Sequence, residues 1–332
     1  MNKIITYIKR KPQKQYHSIE TLFSNIKVEV SKLYRTELVC TKSSGGSPLI
    51  LLKNLLAFKR DKNNIYHITG DIHYMAFVTG KRTILTIHDI GSALQGTLFK
   101  RLYIKLFWFW FPAIFVKRIT VISEFTKKEL EQIIPFAKEK IKVIYNPVGK
   151  DYIKNVYKFN TIKPTILCLG TKSNKNLERV FVAVTNLNCQ LHIIGVLQPQ
   201  QIVKLEKLKI QYRNSVNLPL NGIVEAYKNC DMLCFPSTYE GFGMPIIEAQ
   251  SIGRPVLTSN IGAMAEVSND SACLVNPYDS LEIKKGINQI ILDKEYRDNL
   301  IEKGFENIKR FQLNRIVKQY NDLYKELSVN VQ

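Results

Sequence analysis

Met232-Leu233-Cys234-Phe235, an apolar run of strand length, leads directly into residues 236–255, PSTYEGFGMPIIEAQSIGRP. The order is strand, glycine-rich turn, helix. Pro245 suits the first helical position, where its missing N–H costs nothing. Gly253 stands where a left-handed C-terminal cap is wanted, and Arg254-Pro255 stops the helix. A strand that turns tightly into a helix is the repeating unit of a parallel sheet with covered faces. The same turn gathers backbone N–H groups at the positive end of a helix dipole, which suits an anion.

Two carboxylates, Glu240 and Glu248, lie eight apart across this turn, and like charges repel. One solution is that the turn amides take phosphates while the glutamates take neutral hydroxyls, a combination met on a nucleotide sugar. The other is that both glutamates are solvated charges decorating the first helical turn.

Strand, Glu240, Gly241-Phe242-Gly243, Pro245 and Glu248 resemble the motif of retaining glycosyltransferases of family 4. The resemblance spans nearly the whole chain and is strongest over roughly residues 164–310. It implies the GT-B fold, an α/β architecture of two Rossmann-like domains whose parallel sheets face a central cleft. It also implies that Glu240 contacts hydroxyls of the transferred sugar, that Glu248 holds the nucleotide ribose, and that the amides of Gly241, Phe242, Gly243 and Met244 hold the diphosphate and sugar.

A second loop, Gly170-Thr171-Lys172-Ser173-Asn174-Lys175, follows an apolar strand and opens a helix. Small residues and lysines at a strand end suit a phosphate. The loop is similar to the family segment in which a basic pair neutralises the leaving diphosphate. Lys175 matches the lysine of that pair. The other position, often arginine in the family, is Thr171 here, so either Lys172 substitutes or the charge comes from elsewhere. On its own residues Lys175 also reads as an exposed lysine at a helix start.

His88 closes the apolar strand of TILTIHDI, before Asp89 and Gly91. Ligands of open parallel sheets sit beyond strand C-termini, and the matching histidine of the family contacts the transferred sugar. Asp89 either orients that imidazole or starts the next turn. Asp71 and His73, in TGDIHY, lie at another strand end and are candidate acceptor or sugar contacts. His67, inside YHIT, reads as structural. Many family members carry a glycine-rich turn after the first strand, whereas this chain has basic Lys9–Lys14 and then His17. Glu266 follows a strand and is expected to head a short turn.

Strands are expected at Ile4–Ile8, Thr36–Cys40, Ile65–Thr69, Thr83–Ile87, Ile119–Ile122 and Lys142–Tyr145, and then at Thr165–Leu169, Gln190–Gly195, Val216–Leu218, Met232–Phe235, Pro255–Ser259 and Ala272–Val275. Helices alternate with them: His17–Val30, about 98–116, Glu124–Ile134, Leu177–Asn186, about 199–210, Ile223–Asn229, and most of 279–327. Asn146-Pro147-Val148-Gly149 reads as a break. The expected division is an acceptor-binding domain over 1–148, a nucleotide-sugar-binding domain over 149–312, and a final helix over 313–332 that the resemblance sends back to brace the first domain. A dinucleotide dehydrogenase shares this architecture but needs G-x-G-x-x-G after an early strand, and the loop after Ile8 has no glycine.

The chain carries a net charge of +20 over 332 residues, concentrated in residues 1–150, where 26 Lys/Arg stand against 10 Asp/Glu. Such a surface points to nucleic acid or phospholipid. No nucleic-acid motif accompanies it. Residues 100–118, KRLYIKLFWFWFPAIFVKR, have an apolar centre and basic ends suited to a membrane interface, or form a core helix kinked by Pro112. No apolar run is long enough to span a bilayer, and the N-terminus does not read as a secretory signal. The expected location is the cytoplasm, peripheral on the inner face of the plasma membrane. Six scattered cysteines read as reduced core thiols.

The expected reaction moves a sugar from a nucleotide-diphosphate sugar to a hydroxyl of a lipid-linked or cell-surface glycan, as in lipopolysaccharide or capsule assembly. Glu240, His88 and Lys175 would carry it. No D-x-D-like motif stands near the site, so neither metal nor cofactor is expected. The alternatives are a nucleotide-sugar epimerase of the same fold and a non-catalytic partner subunit that binds nucleotide or lipid.

Overall fold

The computed structural model describes residues 3–11, 18–91 and 96–329. They form two compact units, Met1–Pro147 with Leu313–Gln332, and Val148–Gln312. Each is built on a six-stranded, wholly parallel sheet covered by helices.

The first unit contains β1 (Ile4–Lys9), β2 (Arg35–Cys40), β3 (Ile65–Ile68), β4 (Thr83–Ile87), β5 (Arg118–Val121) and β6 (Ile141–Val143), in the spatial order β2-β1-β3-β4-β5-β6. Its helices are α1 (Ser18–Val30), α2 (Pro48–Ala57), α3 (Ala76–Thr79), α4 (Leu98–Ile104), α5 (Phe111–Phe115) and α6 (Glu124–Ile133). β3 and β4 are buried along their whole length, as strands covered on both faces must be. One face packs Ile8, Ile68, Leu85 and Val121 against Trp108, Phe109 and Leu130. The other packs Ile5, Tyr7, Ile65 and Ile84 against Phe23 and Ile26 of α1 and against the final helix of the chain. His67 sits at this second interface. Its Nδ1 is 2.6 Å from the Tyr324 hydroxyl and its Nε2 is 2.7 Å from Thr86 Oγ1. Both ring nitrogens are used, and burial lowers the imidazole to about 3. The residue is structural, as its place inside a strand suggested.

The second unit contains β7 (Thr165–Leu169), α7 (Leu177–Val184), β8 (Gln190–Ile194), α8 (Pro199–Lys207), β9 (Tyr212–Ser215), α9 (Leu220–Lys228), β10 (Met232–Phe235), α10 (Met244–Ile252), β11 (Val256–Ser259), α11 (Gly262–Ser268), β12 (Cys273–Val275), α12 (Ser280–Leu292) and α13 (Lys294–Asn307). The strand order is β12-β11-β10-β7-β8-β9. The final helix α14 (Leu313–Val329) belongs to the first unit.

Several expectations fail for physical reasons. The third strand of the second unit is Tyr212–Ser215, not Val216–Leu218. It is an edge strand paired only with β8, so polar YRNS is tolerated where a buried strand would need apolar side chains. Glu266 lies inside helix Gly262–Ser268 and does not head a turn. α2 was not anticipated at all. Cys40 is exposed, whereas the other five cysteines are buried.

Residues 98–116 are helical but not uniform. α4 passes into a π-helical stretch over Lys105–Trp110 and then into α5. Pro112 has no N–H to offer the carbonyl four residues back, and that carbonyl, on Trp108, instead accepts from His73 Nδ1 at 2.8 Å. Trp108, Phe109, Pro112, Ala113 and Val116 are buried. The buried part of this stretch is therefore core, while Leu98, Phe99, Leu102, Trp110, Ile114 and Phe115 are exposed.

Candidate functional site

In the second sheet the chain starts at β7, builds outward through β8 and β9, and returns to add β10, β11 and β12 on the other side. The order reverses between β7 and β10, which are direct parallel neighbours. Ligands of open α/β sheets bind beyond the strand C-termini at this reversal. The loops leaving β7 and β10 are residues 170–176 and 236–243, the two segments singled out from sequence.

The two loops are tied together. The Thr238 N–H donates to the Asn174 carbonyl at 2.8 Å, and the Asn174 side-chain amide donates to the Tyr239 carbonyl at 2.9 Å and to Glu240 Oε1 at 3.2 Å. Asn176, buried with φ 61°, donates to the carbonyls of Pro236 and Pro277 at 2.9 and 2.6 Å. Lys175 Nζ reaches Glu240 Oε1 at 2.6 Å and lies 4.6 Å from the centre of the Phe235 ring. These two side chains are only 20% and 17% exposed. Neither is a solvated surface charge or a free helix-start lysine.

Gly170 adopts φ +83°, and a Cβ there would stand 2.9 Å from Lys175 Cε. Glycine thus sets both the turn and the position of the lysine stem. The Thr171 hydroxyl donates to the Val196 carbonyl at 2.6 Å, which engages it in holding the loop. Lys172 is exposed.

Gly243 caps α10 with φ +104°, and Pro245 occupies its first turn. Gly241 and Met244 are half-buried. Phe242 is buried edge-on against Phe311, at 5.6 Å between ring centres. α10 ends at Gly253, in the left-handed conformation its sequence called for. Glu248 lies one turn further along α10, half-buried, with Oε2 accepting from the Tyr227 hydroxyl at 2.6 Å. Burial raises its carboxyl above the usual range, and hydrogen bonds from Tyr227 and Tyr152 partly offset this. Asn174, Asn176 and Tyr227 escaped the sequence reading. Their partners stand 21 to 101 residues away, and only the left-handed Asn176 carries a local signal, an asparagine just before a helix.

In the first unit, His88 directly follows β4 and its Nε2 donates to the Thr69 carbonyl at 3.1 Å. Burial is the main reason its imidazole is lowered to about 4, so the ring is neutral and Nδ1 carries the lone pair. Asp89 is exposed and accepts from the Gly91 N–H at 3.0 Å, starting a turn. Asp71 is exposed, and its Oδ1 accepts from Trp108 Nε1 at 2.7 Å. His73 is buried with its Nδ1 donating to the Trp108 carbonyl, and its imidazole is also lowered by burial. The structure thus brings Lys175, Glu240 and their loops together in one unit, and Asp71, His73 and Trp108 together in the other. His17 lies outside the described residues, as do Lys14 and its neighbours from 12 onward. Among the described residues, no group of three or more His, Cys, Asp or Glu could hold a metal ion.

Chemically, the second-unit site offers an ammonium, the amide end of a helix and two recessed carboxylates. It can meet an anion and hydroxyls on one ligand.

Comparison with known proteins gives a consistent picture. The family described as Glycosyl transferases group 1 matches residues 149–307, and Glycosyltransferase Family 4 matches residues 26–152. O-antigen chain mannosyltransferase B of Escherichia coli is 37% identical over 240 residues, which cover 64% of this chain and 61% of that protein. O-antigen chain mannosyltransferase RfbU of Salmonella typhimurium is 30% identical over 220 residues, covering 62% and 60%. The matched region thus spans less than two thirds of either relative. Anabaena HepE, solved with UDP and glucose, superposes with a TM-score of 0.76 over 98% of this chain and 100% of that one, at 15% identity, which speaks for the fold. With its two halves matched by these two glycosyltransferase families and its sheets laid out as in solved GT-B enzymes, this chain belongs to the group 1 glycosyltransferases of GT-B fold.

Proposed function

We propose that the protein transfers a hexose from a nucleoside-diphosphate sugar to a hydroxyl of a lipid-linked or cell-surface glycan, with retention at the anomeric carbon. The observation that carries this reading is the Lys175–Glu240 pair, set at the reversal point of the second sheet beside the N-terminus of α10. The diphosphate takes the amides of Gly241, Phe242, Gly243 and Met244 together with Lys175. Lys172, on the exposed side of its loop, supplies the second charge that Thr171 cannot. Glu240 leaves the lysine for the sugar hydroxyls when the diphosphate arrives. Glu248, held by Tyr227, takes the ribose.

The acceptor oxygen bonds to the anomeric carbon as the bond to the diphosphate breaks. The electron pair goes to the phosphate oxygen, and that oxygen takes the acceptor proton on the same face. A retaining hydrolase would need two carboxylates flanking the bond, one of them a nucleophile. Here Glu240 is assigned to the sugar hydroxyls and Glu248, bonded to Tyr227, to the ribose, which leaves neither carboxylate as nucleophile. Catalysis rests on stabilising charge that develops on the diphosphate. His88 offers its Nδ1 lone pair to a sugar hydroxyl, and Asp71 and Asp89 serve the sugar or acceptor. The reaction uses no metal and no cofactor. It serves surface-polysaccharide assembly, consistent with the O-antigen mannosyltransferases among its relatives, and is placed on the cytoplasmic face of a membrane. Mannose is the first sugar to try.

The test is release of nucleoside diphosphate from a panel of GDP- and UDP-hexoses, with and without a lipid-linked glycan fraction. Acceptor-dependent release with a new glycosidic product supports transfer. Conversion of the donor to another sugar without acceptor would mean an epimerase, and binding without turnover a non-catalytic subunit.

A further inference from the structure

α2, PLILLKNLLA, is apolar on nearly every side, yet it is seated with its asparagine inward and three leucines outward. Asn54 is 3% exposed; its side-chain amide donates to the Tyr74 hydroxyl at 2.8 Å and the Ser43 carbonyl at 3.0 Å, and its Oδ1 accepts from the Ser43 N–H. Leu49, Leu52 and Leu56 are 80%, 53% and 79% exposed. Their spacing of three and four places them on one face. A helix that hides its amide and shows its leucines gives up burial it could have had by rotating. Asn54 fixes the rotation.

A second exposed apolar face lies on α4. The Tyr103 hydroxyl donates to the Gly46 carbonyl at 3.0 Å, joining α4 to the chain that opens α2. Leu98, Phe99 and Leu102 of α4 are also exposed, Phe99 by 85%. Lys42, Lys53, Lys59 and Arg60, on α2 or near it in sequence, and Lys100 and Arg101 of α4 are all exposed. Neither residues 42–60 nor 96–118 contain a single aspartate or glutamate.

We infer that the exposed faces of α2 and α4 form a membrane-docking surface, its leucines and Phe99 entering the interface of an anionic phospholipid bilayer and its basic rim meeting the headgroups. Apolar side chains flanked by lysine and arginine, with no carboxylate on either helix, complement lipid headgroups over an acyl boundary. The face stands apart from the π-helical centre of residues 105–110, whose Trp108 and Phe109 are core. No helix among the described residues is long and apolar enough to cross a membrane, so contact is with the surface. The inference goes beyond the transferase reading and stands without it.

The test is co-flotation of the full chain with phosphatidylcholine vesicles, with or without about 30% phosphatidylglycerol, at about 0.05 M and about 0.5 M salt. The expected result is binding that needs the anionic lipid, weakens with salt, and falls about tenfold or more in Leu52→Asp/Leu56→Asp. Leu292→Asp, equally exposed in the second unit, should bind as wild type. Both positions are solvent-facing, so melting temperatures should match wild type. Equal binding by the double variant and wild type would overturn the inference. So would a wild-type chain that ignores vesicles but dimerises through this face, with the dimer lost in the double variant.

Discussion

Lys175 and Glu240 meet at 2.6 Å across 65 residues of sequence, each side chain about four-fifths buried, with the ammonium over the Phe235 ring. Before a ligand binds, the charge proposed for the diphosphate and the carboxylate proposed for the sugar thus neutralise each other. Glu240→Gln keeps the shape and the Asn174 contact but leaves Lys175 without its counter-charge. Transfer should fall by about 100-fold or more, and stability by about 1–3 kcal/mol. Steady-state turnover and urea unfolding check the two parts separately.

Glu248 carries a cost of the opposite kind. Burial raises its carboxyl, so the folded state holds its proton more tightly than the unfolded chain does. The stability tied to this group is full below the usual glutamate range and is lost as pH rises through the raised value. Glu248→Gln should therefore melt higher than wild type at pH 7.5. The gain should vanish on acidification below the ordinary carboxylate range, while donor affinity falls. Thermal melts with and without donor read both effects.

His67 and His88 act in the reverse sense. Burial lowers them to about 3 and about 4, so the unfolded chain binds protons first. Their contribution to stability is full above the ordinary histidine value and is lost as pH falls towards these lowered values. The melting temperature should drop from pH 7 to pH 5. His67→Gln should be less stable at pH 7 yet show a shallower decline, measurable by circular dichroism across that range.

Tyr324 ties the last helix to the first sheet through His67 and through the Tyr7 hydroxyl at 2.9 Å. Tyr324→Phe leaves these buried partners short of a bond and should cost about 1–3 kcal/mol. Urea midpoints give the value directly, and an unchanged midpoint would show that water replaces the hydroxyl.

The parts of this molecule that could be read from sequence are those whose signal is local. Pro245 and Gly253 frame α10 through backbone geometry alone, and the strands TILTI and TILCL announce themselves by short runs of apolar and β-branched residues. What stayed hidden depends on distant partners. YRNS is a strand because β8 offers it an edge. α2 went unread because its leucines do not follow the usual inward pattern, Asn54 having taken the core position. At the site the glycine loop and Lys175 were visible, but Asn174, which joins the two loops, and Tyr227, which holds Glu248, were not. Nothing in their neighbouring residues records those contacts.

Turnover in a chelator separates two electrostatic designs. If Lys175 and the end of α10 supply the charge stabilisation, transfer should continue undiminished in excess EDTA. Abolished turnover that returns with a divalent cation would assign that role to a metal.

Calorimetric titration of a nucleoside-diphosphate hexose into the wild-type and Lys175→Ala proteins bears most directly on the central claim. The account predicts saturable one-to-one binding to the wild type and affinity about tenfold or more weaker in the variant. Equal affinity in the two proteins, or no binding of any such sugar to the wild type, would contradict it.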